Sequence, residues 1–404
     1  MSVRKRKWTT SSGEAKEAWV VDYVDASGAR RLKTFPRKKE ADAFASEADV
    51  EVRQGTHVAD SASQTVGEAG SRWVAAAERA GLERSTTDQY RQHLNLHIVP
   101  FIGREKLSRL SIPSVRAFED KLRSEGRSPA MVRKILVSLG SLIADAQERG
   151  AAARNPVRDM RGKRRGKDRK TERRQKGKLQ VGVDIPLPGE AKAIVGQMRG
   201  RWRPLLLTAI FTGLRASELR GLRWSDVNFS GAEISVKQRA DRFNMIGPPK
   251  SDAGTRSVPI PPIVVNALRE WKLAAPKGAL DLVFPNGAGK VESLANIINR
   301  ALIPVQIRAG VALPKLDAEG RPVKDSGGQP VLTAKYSGMH ALRHFYASCC
   351  INRQQEGGLG LPPKVVQERL GHSSITMTMD IYGHLFPRGD DASELAEAER
   401  ALLA

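Results

Sequence analysis

Between Arg158 and Lys178 the chain carries a dense run of Arg and Lys with interspersed Gly, and its one apolar side chain is Met160. Such a segment cannot bury enough surface to offset the entropy of ordering it, so it is expected to be an extended linker. With 404 residues there is room for two or three domains around it, each large enough for a core of its own.

The same bias extends over the whole chain. Lys and Arg number 67 against 44 Asp and Glu, a formal charge of +23, which is far more than solubility requires and points to a polyanion, with nucleic acid first. The linker, with Arg164 and Arg165, is then expected to lie along a phosphate backbone. No stretch approaches eighteen consecutive apolar residues, and Met1–Lys7 lacks the apolar run of a secretory signal. The expected location is cytoplasmic and nucleoid-associated, with no membrane partner. Cys349 and Cys350 are neighbours, a poor arrangement for an unstrained disulfide and too few for a cysteine zinc site, so they are expected to be reduced core residues.

Ahead of the linker two patterns follow one another. In residues 18–26 Trp19, Val21 and Tyr23 alternate onto one face, and Ser27-Gly28 turns the chain into Arg30–Phe35, which predicts a hairpin. Pro36 then opens a helix with Ala41, Phe44, Ala45, Ala48 and Val52 at helical spacing, closed by Gly55. This sheet plus helix, residues 1–60, has Arg4, Lys5, Arg30, Arg31 and Lys33 as its candidate DNA contacts. Residues 61–157 change to helices. Thr65–Glu68 is a capping box; a second helix from Ser85 should stop at Pro100; a third carries Val115, Phe118 and Leu122; a fourth begins at Ser128-Pro129. His93 and His97 sit four apart with no third ligand in view, and are read as polar-face histidines.

Beyond the linker, taken as 158–183, the pattern over 184–390 is mainly helical with a small sheet. Pro204–Phe211 reads as a buried helix broken by Gly213. Glu233–Gln238 and Thr255–Ile260 read as strands flanking the turn that holds Lys250, and Leu313–Gly338 as a polar surface insertion. A short amphipathic tail helix closes the chain over 391–404.

Three strings near the end, His340-Ala-Leu-Arg343, Leu370-Gly-His372 and Asp380-Ile-Tyr382, join Thr212-Gly-Leu-Arg-Ala-Ser-Glu218 in offering two arginines, two histidines and a tyrosine. That set suits holding a phosphodiester while a phenolic oxygen attacks it. Cleavage without a metal needs fixed cations on the non-bridging oxygens, and the planar fork of Arg215 and Arg343 does this best. Glu218, one turn after Arg215, orients it by a salt bridge; Lys250, at a turn, can protonate the leaving oxygen; His340 exchanges a proton; His372 bonds a phosphate oxygen; Tyr382 is the candidate nucleophile. Each has an ordinary explanation when taken singly, as a surface arginine or a buried aromatic. A zinc pair at His340 and His344 is disfavoured because the metalloprotease spacing needs Glu where Ala341 stands.

Together and in this order, the strings around Arg215, His340-Ala-Leu-Arg-His344, Leu370-Gly-His-Ser-Ser374 and Asp380-Ile-Tyr-Gly-His384 resemble the tyrosine recombinase family, the phage integrases. The resemblance implies a metal- and ATP-independent enzyme with no cofactor. Arg215, Lys250, His340, Arg343 and His372 would surround nucleophile Tyr382, with Glu218 at the acidic supporting position. It further implies a multidomain α+β chain: a small N-terminal sheet-plus-helix domain of arm-binding type, a four-helix core-binding domain and a mainly α-helical catalytic domain with a small antiparallel sheet. Its partners would be double-stranded DNA attachment sites, three further copies in a tetramer on DNA, and DNA-bending or directionality proteins. A chromosome-dimer resolvase, a type IB topoisomerase and a non-enzymatic DNA-binding protein are the alternatives.

Overall fold

The computed structural model describes residues 1–11, 13–25, 28–55, 57–160, 178–387 and 391–404. Most of the basic linker, including Arg164 and Arg165, lies outside the described residues. The chain divides into two compact units, Met1–Glu172 and Arg173–Ala404. No helix among the described residues is long and apolar enough to cross a membrane.

The first unit opens with a three-stranded antiparallel sheet in the order β1 (Ser2–Thr9), β2 (Ala15–Val24), β3 (Arg30–Phe35). The β2–β3 hairpin was legible in the sequence and β1 was not. Among the alternate positions Val3, Lys5 and Lys7, only Val3 is apolar, so β1 shows no period of two; pairing with β2, Val3 opposite Val21, makes it a strand. Val21, Tyr23, Trp19 and Phe35 pack on Ala41 and Phe44 of α1 (Lys38–Arg53).

The helical part follows. In α2 (Val66–Arg79) the Thr65–Glu68 capping box forms as expected. The chain does not stop at Pro100: α3 (Arg84–His93) runs through a π-helical turn at Leu94–Ile98 into α4 (Val99–Ile102). A proline has no N–H to donate four residues back, and the wider turn absorbs that loss without ending the helix. The remaining elements are α5 (Ile112–Ser124), α6 (Pro129–Glu148, capped by Ser128) and α7 (Pro156–Asp159). Ile135, Leu139, Leu142 and Ile143 of α6 lie at the centre of the core, each contributing about 1.5–3 kcal/mol by burial. Met160 joins this core, so its position, expected in the linker, belongs to the helical part. His93 is not on a polar face. It is buried, and its Nδ1 bonds Ser138 Oγ at 2.8 Å, a polar pair satisfied inside the core.

In the second unit α8 (Pro188–Gly196), the largely buried α9 (Arg203–Thr212) and α10 (Ala216–Gly221) precede a three-stranded antiparallel sheet. Its order is β4 (Val227–Asn228), β5 (Glu233–Val236), β8 (Arg256–Pro259), with the small pair β6 (Arg239–Ala240) and β7 (Ile246–Gly247) between β5 and β8 in sequence. Then come α11 (Pro262–Ala274), α12 (Leu294–Ile297) and α13 (Ile303–Arg308), the last two joined by a second π-helical turn just before Pro304. Much of Leu313–Gly338 is indeed superficial, but it is built: β9 (Ala312–Pro314) pairs with β10 (Leu332–Ala334), and Tyr336 enters the core. The last helices are α14 (His340–Ile351), α15 (Pro363–Leu370), α16 (Ile375–Tyr382) and α17 (Asp391–Leu403). The result is a helix-rich mixed fold with small antiparallel sheets.

Candidate active site

Two left-handed glycines build the site. Gly213 ends α9 with φ +61°, and a Cβ there would stand 2.4 Å from Tyr346 Cδ1, so both the backbone and the space demand glycine. Its carbonyl accepts a hydrogen bond from Arg343 Nη1 at 2.6 Å. Gly371 ends α15 in the same conformation, φ +61°, and its carbonyl accepts from Arg215 Nη2 at 3.0 Å. The preceding carbonyl, Leu370, accepts from Arg343 Nη2. Both guanidiniums, from segments 128 residues apart by their numbers (343 − 215), are thus tied to consecutive carbonyls, and His372 is the next residue.

Glu218 fixes Arg215 twice. Its carboxylate accepts from the Arg215 backbone N–H at 2.9 Å, closing the first turn of α10, and from Nη1 at 2.7 Å. A third arginine, Arg256 of β8, donates Nη2 to the same carboxylate at 2.9 Å and Nε to the Arg369 carbonyl at 2.7 Å. Burial alone would raise the Glu218 pKa, but the Arg256 hydrogen bond and the two guanidinium charges hold it below the usual carboxylate range. The sequence reading missed Arg256. One signal was there: it shares the alternation of Val258 and Ile260, both buried, so the strand points it inward, where a lone charge needs a partner.

Arg343 is almost wholly buried, and its pKa is lowered to about 10 by burial and by Arg215, so it remains cationic at neutral pH. Arg215 keeps 32% of its side chain open to solvent. Tyr382, at the end of α16, is 1% exposed, and its ring lies parallel to that of His372 at 6° with centroids 6.2 Å apart. Burial pushes the phenol up to about 12, with Arg343 and Arg215 pulling the other way. Its hydroxyl meets His344 Nδ1 at 2.7 Å, a partner that was weighed in the sequence only as half of a zinc pair. Among the described residues no three His, Cys, Asp or Glu side chains converge to hold a metal ion. His372 is buried, bonded through Nδ1 to Thr378 Oγ1 at 2.9 Å, and burial with the nearby arginines lowers it to about 4. His340, exposed at the start of α14, is also lowered, by desolvation of its sheltered side and by Arg343 and Arg215.

The structure therefore brings together Arg215, Glu218, Arg343, His372 and Tyr382, with His340 alongside through its electrostatic contact with both arginines. Lys250 is not brought in: it is exposed in the loop between β7 and β8 with no hydrogen bond or ion pair among the described residues. Lys237 instead faces Asp226 at 3.9 Å. In the first unit, strand register splits the candidate DNA contacts between two faces. Arg4 and Arg30 share the face away from α1 and both pair with Asp22. Lys5, Arg31 and Lys33 share the α1 face, paired with Glu17, Asp25 and Asp60.

Residues 189–388 match the phage integrase family. The chain is 26% identical over 401 residues, 95% of its length and 96% of the relative's, to a tyrosine recombinase XerC-like protein of Caldanaerobacter subterraneus subsp. tengcongensis. It is 24% identical over 306 residues to the ICEBs1 integrase of Bacillus subtilis, covering 73% of this chain and 72% of that one. Its fold is similar to that of the Tn1549 transposon integrase solved in complex with transposon right end DNA, at a TM-score of 0.60 and 18% identity over 84% of this chain and all of the other. Signature residues clustered at one site, a family match over residues 189–388 and a relative aligned along nearly the full length agree: the chain belongs to the phage integrase family of tyrosine recombinases, enzymes that break and rejoin DNA.

Proposed function

We propose that this site-specific recombinase cuts DNA through a 3′-phosphotyrosyl intermediate to integrate or excise a mobile element. One observation carries the reading: three consecutive residues, Leu370, Gly371 and His372, gather both guanidiniums and an imidazole beside the Tyr382 ring. Tyr382 Oη attacks the scissile phosphorus, the bond to the 5′ oxygen breaks, and the 5′ hydroxyl of a partner strand later reverses the step. The phosphotyrosyl ester conserves the bond energy, so neither ATP nor a metal has to supply it.

Arg215 and Arg343 neutralise the non-bridging oxygens. Anchored on backbone carbonyls and on Glu218, they need little reorganisation when charge develops, which is where such sites gain most. Arg215, the more open of the two, meets the phosphate first. His340 and His372 complete the hydrogen bonds to it. Lys250 rides an exposed loop and reaches the leaving oxygen only once DNA draws that loop inward.

The layout that goes with this function is an arm-type DNA-binding domain at 1–60, a core-binding domain at 61–157, a basic linker at 158–183, the catalytic domain at 184–390 and a tail helix at 391–404. Arg4 and Arg30, on the open face of the sheet, contact DNA in preference to Lys5, Arg31 and Lys33, which face the helix. Assembly is a tetramer on DNA, as in the lambda integrase tetramer bound to a Holliday junction, a chain of similar fold at a TM-score of 0.50. Accessory bending or directionality proteins act with it. The XerC-like relative favours a chromosome-dimer resolvase as the second reading. The relative named ICEBs1 integrase and the likeness in fold to a transposon integrase, that of Tn1549, favour the first.

A nicked suicide duplex tests the proposal. A covalent adduct that is present with the native chain and absent with Tyr382→Phe supports it, and DNA binding with no adduct in either overturns it.

A further inference from the structure

We propose that His344 is a further catalytic residue of this reaction, the acceptor that holds the Tyr382 hydroxyl and takes its proton as the phenolic oxygen attacks. The inference rests on Tyr382 being the nucleophile. Among the described residues, the bond to His344 Nδ1, 2.7 Å long, is the one hydrogen bond of the Tyr382 hydroxyl. The two rings meet edge to face, at 62° with centroids 5.7 Å apart, which keeps the ring nitrogen in line with the hydroxyl. Neither arginine donates to that oxygen: Arg215 is committed to Glu218 and the Gly371 carbonyl, and Arg343 to the Gly213 and Leu370 carbonyls. A buried phenol whose pKa stands at about 12 is a poor nucleophile at neutral pH unless a base sits against it.

His344 is the group in position to be that base, 2.7 Å from the hydroxyl. Arg343 and His340 face it from its own helix, Asp184 from the stretch before α8, Tyr382 from α16 and His372 from the turn before α16. Burial first, then His340 and Arg343, lower its pKa to about 4, with Asp184 opposing, so the ring is neutral and Nδ1 accepts from the phenol. Protons and electrons balance. The O–H bond of Tyr382 breaks and its proton moves to Nδ1; the Oη–P bond forms as the P–O5′ bond breaks, and the leaving oxygen is protonated from the solvent side of the phosphate. In the reverse step His344 returns its proton to the departing phenolate.

The test uses the full chain on a nicked suicide duplex whose 5′ bridging oxygen at the scissile phosphate is replaced by sulfur, a leaving group that needs no acid. His344→Gln retains a hydrogen-bond acceptor but no base, and His344→Ala leaves space for imidazole. Both variants should bind DNA as the native chain does and cleave this substrate about 100-fold more slowly or worse. Their rates should climb with pH, and added imidazole should restore the alanine variant. The native chain itself, which needs no variant to fold, should cleave at a rate nearly flat from about pH 6 to 8, since its base is already unprotonated. Variant rates within about threefold of native or above it, a loss uniform in pH with no imidazole rescue, or a native rate rising about tenfold per pH unit would each overturn the assignment. If the native chain forms no adduct, the nucleophile reading itself fails; if it does and the variants keep pace, only His344 loses its role.

Discussion

Replacing Glu218 by Gln keeps the shape of the side chain and removes one charge from between two arginines. The carboxylate accepts four donors: the Arg215 N–H at 2.9 Å, Arg215 Nη1 at 2.7 Å, and Arg256 Nη1 and Nη2 at 3.2 and 2.9 Å. An amide has one acceptor oxygen, and its NH₂ would face donors, so two of the four are lost. Hydrogen bonds to charged groups are worth about 1.5–3 kcal/mol each, and Arg256, 6% exposed, cannot turn to water for replacement. Arg215 can, in part, which places the cost near the lower end, roughly 3–4 kcal/mol. With a urea slope of about 3 kcal/mol per molar, the midpoint for the second unit should fall by about 1 M. Activity should fall further than stability, because a guanidinium displaced by about an ångström costs on the order of 100-fold in rate. The acid limb supplies a sign check: Glu218 has a depressed folded pKa, so its stabilisation is complete above the unfolded value near about 4.3 and is lost as pH falls through the folded one. The glutamine variant should lack that limb. Adding Arg256→Met should recover about 0.5–3 kcal/mol of the loss, since the stranded guanidinium is then gone. A midpoint shift under about 0.3 M, with cleavage within threefold of native, would refute this account of the carboxylate as a shared clamp.

Other consequences follow from the same geometry. Gly213→Ala adds about 1–2 kcal/mol of left-handed strain and a collision with Tyr346, so thermal unfolding of the second unit should move down by several degrees; an unchanged transition would mean the turn can be rebuilt. His344 and His372 are held neutral with pKa values lowered to about 4. Their contribution is present above the unfolded value near about 6.5 and is lost at roughly 1.4 kcal/mol per pH unit for each as pH falls from there, so denaturation midpoints should drop on acidification to about pH 4.5, less so in His344→Gln. Leu139→Ala, at the centre of the helical core, should cost about 2–5 kcal/mol in the first unit by urea denaturation and leave the melting of the second unchanged. Arg4→Ala and Arg30→Ala should each weaken DNA binding evenly across sequences and reduce the slope of log affinity against log salt by about 1, whereas Lys33→Ala should not.

Arg256 and Lys250 show how burial sorts arginine from lysine in one short stretch. Arg256 sits on the inward face of a strand with all three guanidinium nitrogens donating to a carboxylate or a carbonyl, a role its planar fork suits. Lys250, six residues earlier, is an exposed point charge on the loop between β7 and β8. One is part of the framework that fixes the arginine clamp; the other is held by no such partner among the described residues.

Local pattern determined much of this protein. Helical spacing and capping chemistry placed the starts of α2 and α6 within a residue and put Val115, Phe118 and Leu122 on α5, the Gly213 break was visible as a glycine after an apolar run, and the order of the strings around Arg215, His340, Arg343, His372 and Tyr382 was enough to suggest the family. Periodicity reports which face a side chain takes and says nothing about what meets it there. So β1 stayed hidden until β2 paired with it, Pro100 passed for a stop until a π turn carried the helix through, and five basic residues passed for one surface until the register divided them. The two most consequential contacts, Glu218 with Arg256 and His344 with Tyr382, each join residues 38 positions apart. Only packing in three dimensions could decide them, because the energy that selects a partner for a buried charge or a buried hydroxyl comes from desolvation, and desolvation exists only once the chain has closed over the site.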